Sequence, residues 1–250
     1  MKVLFNKIKK NLQEKGWKKT LKIARVVLGT VLTSEKKKMR QLEKYINQHN
    51  RTYEKITGLA TSLNNGTHPK HEIVNYSQFF LDNIDENDKI LDAGSGTGLV
   101  AYKIAEKAKY VLGVDFNKKS IEEAQKKYQR SNLKFIVADL NEYRPEEKFD
   151  KIILSNVLEH ICDRKRLLEA LKNVAPIILL RVPLITRDWL AAYKKAKGFE
   201  YKLDPTHELE YTEAEIKKEI EATGWVIKSF QVNWGEWWGI IKRQYVDSQD

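Results

Sequence analysis

The sequence predicts an α/β fold, a doubly wound sheet that follows an N-terminal helical arm. From about residue 73 onward, short apolar segments of strand length alternate with segments of helical periodicity. Ala175 to Val182 has hardly a polar break, which is typical of a central parallel strand covered on both faces. Repeated strand–helix–strand units imply right-handed crossovers and one parallel sheet.

The predicted strands follow one another at intervals that leave room for a helix between most of them. They are Ile90–Ala93, Tyr110–Val114, Leu133–Val137, Phe149–Leu154, Ala175–Val182, Trp225–Val232 and Glu236–Lys242. The last two flank Asn233-Trp234-Gly235, so we expect them to form an antiparallel hairpin.

Helices are predicted between these strands and just before the first of them. They are His71–Ile84, Leu99–Ala108, Lys118–Tyr128, Asp163–Leu171 and a helix that ends near Ala222. The last begins at Thr212-Glu-Ala-Glu215, a capping box in which Thr212 and Glu215 satisfy each other's backbone N–H groups.

The net charge of +11 is confined to the N-terminal arm. Residues 1–50 hold 14 of the 45 basic and 3 of the 34 acidic groups, and residues 51–250 hold 31 of each. We therefore divide the chain into a basic arm, residues 1–50, and a neutral body, residues 51–250.

The arm has the apolar spacing of two amphipathic helices. Leu4, Ile8 and Leu12 share one face, Gly16 interrupts the pattern, and a second apolar face begins at Trp17. Three partners stay open: an anionic membrane surface bound through residues 1–33, the body or a second subunit, and nucleic acid. Nucleic acid is least favoured because each helix has only one aromatic side chain for stacking.

Composition predicts an enzyme of the reducing cytosol, with a peripheral position on the inner face of the membrane if the arm binds there. Charged residues make up 32% of the chain, and no apolar run is long enough to span a bilayer. The N-terminus lacks the cleavage pattern of a signal peptide. Cys162 is the only cysteine, so an intrachain disulfide is excluded. The oligomeric state stays open.

A glycine-rich turn follows the first predicted strand. Gly94, Gly96 and Gly98 let the backbone approach a flat ligand closely, and Asp115 ends the next strand. A carboxylate at that position can accept both hydroxyls of a ribose. The turn and Asp115 together predict an adenosine-type ligand.

Four segments in this order resemble the class I S-adenosylmethionine-dependent methyltransferases, most closely the methyltransferase type 11 group. The segments are Ile90–Gly98, Val114-Asp115, Ala138–Leu140 and Asp150–His160. The resemblance covers roughly residues 73–242. It implies a seven-stranded Rossmann-like sheet whose last strand is antiparallel, and S-adenosylmethionine as cofactor with S-adenosylhomocysteine as product.

The resemblance also implies a set of cofactor-binding residues. Asp92 and the backbone of Gly94, Ser95 and Gly96 would face the methionine part. Asp115 would bind the ribose, with Phe116 against adenine. Asp139 would accept the adenine amine, and the backbone N–H of Leu140 would serve a ring nitrogen. Ser155 and Asn156 would lie under the sulfonium.

The catalytic residues are expected at the carboxyl ends of the fourth and fifth strands and in an insertion at about residues 183–211. His207 is the first choice as general base, with Asp204 or Glu208 as the residue that orients it, and His160 is the alternative. Arg181 and Arg187 are predicted to hold a phosphate or carboxylate of the substrate.

No metal site is predicted, since the five histidines are scattered and a His-x-x-x-His pair does not occur.

The favoured function is O-methylation of a sugar hydroxyl on a glycan or lipid-linked glycan at the membrane surface. The string Asp204-Pro-Thr-His207 and the residues up to Tyr211 resemble the insertion of methyltransferases associated with surface-glycan synthesis. Three alternatives stay open: a small aromatic or quinone-like acceptor, a non-catalytic cofactor-binding scaffold, and a nucleic-acid methyltransferase.

Overall fold

The computed structural model describes residues 2–143 and 145–244 of the chain. They form two compact units, residues 1–69 and 70–250. The predicted arm, residues 1–50, ends inside a helix that continues to Leu63.

The first unit is one long helix, α1 (Lys2–Leu63), followed by a turn. The predicted break at Gly16 is therefore wrong: a single glycine costs a helix only about 1 kcal/mol relative to alanine. The predicted stripe of Leu4, Ile8, Leu12 and Trp17 lies outside the described side chains. Where side chains are described, Leu21, Val26, Leu28, Val31 and Leu32 are exposed. None of the described helices is both long and apolar enough to cross a membrane.

The second unit is built on a seven-stranded sheet in the order β3-β2-β1-β4-β5-β7-β6. The strands are β1 (Lys89–Ala93), β2 (Tyr110–Asp115), β3 (Leu133–Val137), β4 (Lys151–Ser155), β5 (Ile177–Pro183), β6 (Trp225–Asn233) and β7 (Glu236–Arg243). Strands β1 to β5 are parallel, and β7 is antiparallel to both β5 and β6. This confirms the predicted fold class, including the antiparallel last strand.

Within the described part of this unit, seven α-helices accompany the sheet. They are α2 (Lys70–Ile73), α3 (Tyr76–Asp82), α4 (Leu99–Ile104), α5 (Lys118–Lys127), α6 (Arg164–Leu171), α7 (Trp189–Lys197) and α8 (Glu213–Ala222). The predicted helix His71–Ile84 is wrong as one element, because Asn75 adopts a left-handed conformation (φ 45°) that separates α2 from α3. The capping box of α8 is present as predicted.

Apolar side chains cover both faces of the sheet, which is why the strands lack polar interruptions. Leu91, Leu154 and Leu180 belong to one buried cluster, and Ile90, Ile153 and Leu179 belong to the other. Adjacent residues of one strand thus alternate between the two faces. Buried faces fix the register, so the carboxyl ends of β1, β2, β4 and β5 meet at one edge.

The strand order reverses between β1 and β4, and ligands of open α/β sheets bind at such a point. The glycine turn leaves β1 there, and a short 3₁₀ helix (Leu158–His160) follows β4. The insertion runs between Leu184 and Tyr211, which form a bridge, and it contains α7.

Candidate active site

The turn after β1 is shaped by its glycines. Gly94 has φ 83°, and a Cβ there would lie 2.4 Å from Val157 Cγ2, so a side chain would collide with the segment after β4. Gly96 has φ 53°, and a Cβ there would meet no atom within 4 Å. The turn therefore needs glycine for its backbone and presents open space at its tip.

Buried polar groups surround this turn. The Asp92 side chain is buried, and its Oδ2 has no hydrogen-bond partner among the described residues. Burial, partly offset by the backbone N–H of Ala101, raises the pKa of Asp92 to about 7. Ser95 Oγ is also buried without a partner in the described parts of the chain. Such groups are costly unless something binds them.

Asp115 is the last residue of β2, and its side chain contacts the glycine turn. Its Oδ2 accepts a hydrogen bond from the backbone N–H of Gly96 (2.9 Å), and its Oδ1 accepts one from Asn117 (2.8 Å). Asp115, the residue predicted to bind the ribose, is thus adjacent to the glycine turn, which is predicted to face the methionine part.

The predicted adenine-contacting residues follow β2 and β3, which are neighbouring parallel strands. Phe116 is 77% exposed, so its ring is accessible to a ligand. Asp139 Oδ1 accepts hydrogen bonds from the backbone and side chain of Asn141, both at 2.9 Å. The Leu140 side chain belongs to the core, which leaves only its backbone for the predicted role.

Ser155 is the last residue of β4 and Asn156 follows it, but their side chains have different partners. Ser155 Oγ accepts a hydrogen bond from Arg181 Nη1 (2.9 Å). Asn156 has φ 55°, and its buried Oδ1 has no partner within the described residues. Asn156, rather than Ser155, thus has a side-chain polar atom without a partner among the described residues.

Arg181 does not fit its predicted role as a substrate ligand. Only 2% of it is exposed, and its Nε and Nη2 donate to Glu236 at 2.5 and 2.8 Å. The guanidinium also lies 3.7 Å from the centre of the Tyr76 ring. Its donors are used inside the protein, so we correct this prediction and assign Arg181 to a buried ion pair.

Arg187 is also engaged inside the protein. Its Nη1 contacts Glu210 Oε2, and its Nη2 donates to the carbonyl of Tyr201 (3.1 Å). Glu210 is fully buried. Burial would raise the pKa of Glu210, but interactions with His207, Leu203 and Arg187 outweigh it and lower that pKa. Arg187 therefore holds the insertion together, which corrects the second substrate prediction.

The structure brings His160 and His207 together. Their ring centres lie 4.6 Å apart, although the two residues are on different elements. The backbone N–H of Glu208 donates to the carbonyl of Glu159 (2.8 Å) and fixes the insertion beside the 3₁₀ helix. The expectation that the histidines are scattered is wrong for this pair.

The partners of the two histidines differ from those predicted. His207 Nδ1 lies 3.4 Å from Glu210 Oε1 and makes no hydrogen bond within the described residues, so its neighbouring carboxylate is Glu210 instead of Asp204 or Glu208. Asp204 acts on His160: Thr206 Oγ1 donates to Asp204 Oδ1 (2.7 Å) and lies 2.9 Å from His160 Nδ1. Glu208 accepts a hydrogen bond from Cys162.

The electrostatics keep His160 neutral near pH 7. Burial and the neighbouring His207 lower the pKa of His160. Burial would raise the pKa of Asp204, but hydrogen bonds from Thr206 outweigh it and lower that pKa. An ionised Asp204 and a neutral His160 therefore stand at opposite ends of the Thr206 hydroxyl.

Glu159 was missed by the sequence analysis. It is fully buried, and both carboxylate oxygens lack a hydrogen-bond partner in the described chain. Burial raises its pKa to about 8. The signal that was available is its position directly before His160, on the segment that follows β4.

The residues fit an adenosyl cofactor with an amino-acid tail. The tip of the turn is open at Gly96, and Asp92, Ser95 and Asn156 offer polar atoms that the described residues leave without partners. Asp115 lies within 2.9 Å of the turn. Polar groups for the tail and a carboxylate for the ribose are thus present at one sheet edge.

The sheet order, the antiparallel β7 and the turn at the switch point define the class I methyltransferase fold. The chain belongs to the methyltransferase domain family, whose family model matches residues 84–224. S-adenosylmethionine, the cofactor predicted from the sequence, is confirmed as the cofactor of this family.

Curated relatives carry diverse names. The ribosomal protein L11 methyltransferase of Thermotoga neapolitana is 26% identical over 165 residues, 64% of this chain and 60% of that protein. The ubiquinone biosynthesis O-methyltransferase of Bradyrhizobium diazoefficiens is 30% identical over 121 residues, 46% of this chain and 47% of that protein. The chain spans about half the length of the curated relatives it matches.

Solved structures share the fold. An S-adenosylmethionine-dependent methyltransferase from Clostridium acetobutylicum aligns with a TM-score of 0.56 at 16% identity, covering 77% of this chain and 99% of that one. Magnesium protoporphyrin IX methyltransferase from Synechocystis, solved with S-adenosylhomocysteine, gives 0.53 at 20% identity, covering 78% and 84%.

Proposed function

We propose that this chain is an S-adenosylmethionine-dependent O-methyltransferase that acts on a hydroxyl, with a sugar hydroxyl of a glycan or lipid-linked glycan as the favoured acceptor. The observation that carries the proposal is the His160–His207 pair, which lies at the sheet edge beyond β4. A paired histidine cluster suits removal of a proton from a hydroxyl.

In this proposal the cofactor, when bound, supplies an activated methyl group. Asp115 holds the ribose hydroxyls, and Asp92 meets the ammonium of the methionine part. Gly94, Ser95 and Gly96 line the tail with backbone, and Asn156 contributes its free Oδ1. Phe116, Asp139 and the backbone of Leu140 remain the proposed adenine contacts. Holding the methyl group and the acceptor in line supplies much of the rate.

His207 is proposed as the general base and His160 as its partner. A neutral imidazole can accept the hydroxyl proton, and Glu210 beside Nδ1 stabilises the imidazolium that forms. His160, Thr206 and Asp204 form a second chain of hydrogen bonds that ends on a carboxylate.

Several polar side chains support a sugar as the acceptor. Glu159, His160, Asp204, Thr206 and His207 cluster on one side of the site. A region lined by such groups matches a molecule with many hydroxyls, because unpaired polar groups would penalise an apolar acceptor.

The arm is proposed to hold the enzyme on the inner face of an anionic membrane, next to a lipid-linked acceptor. Exposed apolar residues at 21, 26, 28, 31 and 32 accompany the lysines and arginines of this segment. Each basic residue near such a surface adds about 1 kcal/mol. Deletion of residues 1–33 is expected to abolish sedimentation with phosphatidylserine vesicles, and unchanged sedimentation would contradict this part.

A small aromatic or quinone-like acceptor is the second candidate. The resemblance to ubiquinone biosynthesis O-methyltransferases, 30% identical over 121 residues in one case, favours it. Trp189 and Trp234 are exposed and available to such a ring, whereas Trp237 and Trp238 are buried in the core.

The test is methyl transfer from labelled S-adenosylmethionine by the full chain, offered glycans, lipid-linked glycans, catechol-type quinone precursors and RNA. Transfer to a glycan hydroxyl that is lost in His207→Ala supports the proposal. Transfer to quinone precursors alone selects the second candidate. Cofactor binding without transfer to any acceptor favours a non-catalytic cofactor-binding scaffold. Transfer to RNA contradicts both proposed acceptors.

A further inference from the structure

Glu159, His160 and His207 form a compact group of potential metal ligands. One ligand atom from each residue lies within 4.8 Å of the others. Glu159 and His160 are neighbours on the 3₁₀ helix, and His207 comes from the insertion, which the Glu208–Glu159 backbone hydrogen bond holds in place.

Glu159 is the observation that points to a ligand. Its side chain is fully buried, and neither carboxylate oxygen has a hydrogen-bond partner among the residues described. A buried carboxylate is expensive unless a cation or hydrogen-bond donors satisfy it. Arg181, the nearest guanidinium that acts on it, already donates to Glu236 and Ser155.

Among the described residues, the hydrogen bonds of His160 leave its Nε2 without a partner. A hydroxyl has one proton, and that of Thr206 is given to Asp204 Oδ1, so Thr206 Oγ1 must accept from His160 Nδ1. The lone pair of the neutral ring is then on Nε2. A histidine that ligates a metal typically donates its other nitrogen to an oxygen in this way.

His207 has the matching arrangement. Its Nδ1 faces Glu210 Oε1 at 3.4 Å, and Glu210 is itself held by Arg187 and the backbone N–H of Leu203. His207 Nδ1 makes no hydrogen bond within the described residues, so Glu210 is a neighbouring carboxylate at ion-pair distance, in the place where a metal-bound histidine commonly has its outer partner. Each imidazole therefore has an oxygen atom beside its Nδ1, which favours one orientation of the ring.

We propose that Glu159, His160 and His207 bind one divalent transition-metal ion of the Zn²⁺ type. Two imidazoles and one carboxylate form the ligand set of catalytic zinc sites, which leave a coordination position open. Mg²⁺ and Ca²⁺ prefer oxygen ligands throughout, so the set selects against them. The role of the open position rests on the function proposed above: it would bind the acceptor hydroxyl oxygen and lower its pKa, so that the proton leaves to water and His207 serves as a metal ligand in place of the general base.

Calorimetric titration of the chelator-treated full chain with ZnCl₂ tests the site. We expect one Zn²⁺ per chain with a micromolar or lower Kd, no comparable binding of Mg²⁺, and a loss of at least 100-fold in Glu159→Gln and in His207→Ala. Glu159→Gln keeps the side-chain volume, so its melting temperature and S-adenosylhomocysteine binding serve as folding controls. Co²⁺ should give the visible bands of a four- or five-coordinate site in the wild type and not in Glu159→Gln.

Two matched controls address adventitious binding. His49→Ala removes an exposed histidine of α1, and Cys162→Ser removes the exposed thiol near the cluster. Both variants should bind Zn²⁺ as the wild type does. Absence of stoichiometric binding, equal binding by Glu159→Gln, or loss of binding in either control would overturn the metal site. If Zn²⁺ does not bind, Lys70, the other cation that acts on Glu159, would be left to balance the Glu159 carboxylate.

The metal site and the proposed function fail separately. Zn²⁺ binding without methyl transfer supports the site and contradicts the function. Methyl transfer at full rate in Glu159→Gln and in the presence of a chelator supports the function and overturns the proposed role of the metal in binding the acceptor hydroxyl.

Discussion

The proposed site has two halves that differ in how the chain builds them. The cofactor half consists of residues 92–96, 115–116 and 139–140, each at the end of a strand or in the turn after it. The acceptor half consists of Glu159, His160, Asp204, Thr206 and His207, drawn from a 3₁₀ helix and a distant insertion. The first half needs only the sheet register, whereas the second also needs the insertion to fold back onto β4.

We expect substitutions in the two halves to have different effects. Changes in the acceptor half should alter methyl transfer and leave cofactor affinity intact, and changes in the cofactor half should alter affinity itself. Changes in the buried Arg181–Glu236 ion pair should lower the stability of the fold and affect neither methyl transfer nor cofactor affinity directly.

The largest effect is expected for His207→Ala. Loss of a general base or of a metal ligand should lower the methyl-transfer rate roughly 100- to 10,000-fold. Radiometric turnover gives the rate, and calorimetry should show S-adenosylhomocysteine affinity within twofold of the wild type. An equal loss of rate and cofactor affinity would erase the distinction between the halves.

Arg181→Ala should chiefly destabilise the fold. Removing one partner of a buried pair leaves Glu236 uncompensated and costs about 3–5 kcal/mol. The melting temperature, followed by circular dichroism, should fall by roughly 10 °C. The exposed Arg166→Ala is the control and should change little. A higher KM for the acceptor with an unchanged melting temperature would instead support Arg181 as a substrate-binding residue.

Asp115→Ala should weaken S-adenosylhomocysteine binding about 100-fold, because two hydrogen bonds to a charged group are lost. Isothermal titration measures this directly. Glu142→Ala removes an exposed carboxylate that has no assigned role and should bind as the wild type does. Equal affinity in both variants would contradict the ribose assignment.

The smallest effect concerns pH. Burial raises the pKa of Asp92 to about 7, so roughly a tenth of it is ionised at pH 6 and nine tenths at pH 8. If the ionised form meets the cofactor ammonium, affinity should rise by up to about tenfold across that range. Asp92→Asn should flatten the profile, and a profile that survives this substitution would exclude Asp92 as its cause.

The cofactor half was predictable because its residues signal locally. β3 begins and ends as predicted, β1 and β2 differ by one residue, and Asp115 follows from strand and turn pattern alone. The acceptor half was predictable only in part. His160 and His207 were singled out individually, but their contact depends on a hydrogen bond between residues 159 and 208.

The two wrong predictions for Arg181 and Arg187 share a physical cause, which is a partner distant in sequence. Arg181 and Arg187 resemble substrate ligands until Glu236 and Glu210 are placed beside them, 55 and 23 residues away. Charge patterning along the chain does not reveal such pairs. The continuity of α1 through Gly16 has the opposite origin, since helical neighbours outweigh one unfavourable residue.

Titration of S-adenosylhomocysteine into the wild type, Asp115→Ala and His207→Ala tests the division of the site most directly. We expect micromolar binding by the wild type, nearly the same binding by His207→Ala, and a loss of about 100-fold in Asp115→Ala. No binding by the wild type, or equal affinity in all three proteins, would contradict this division of the site.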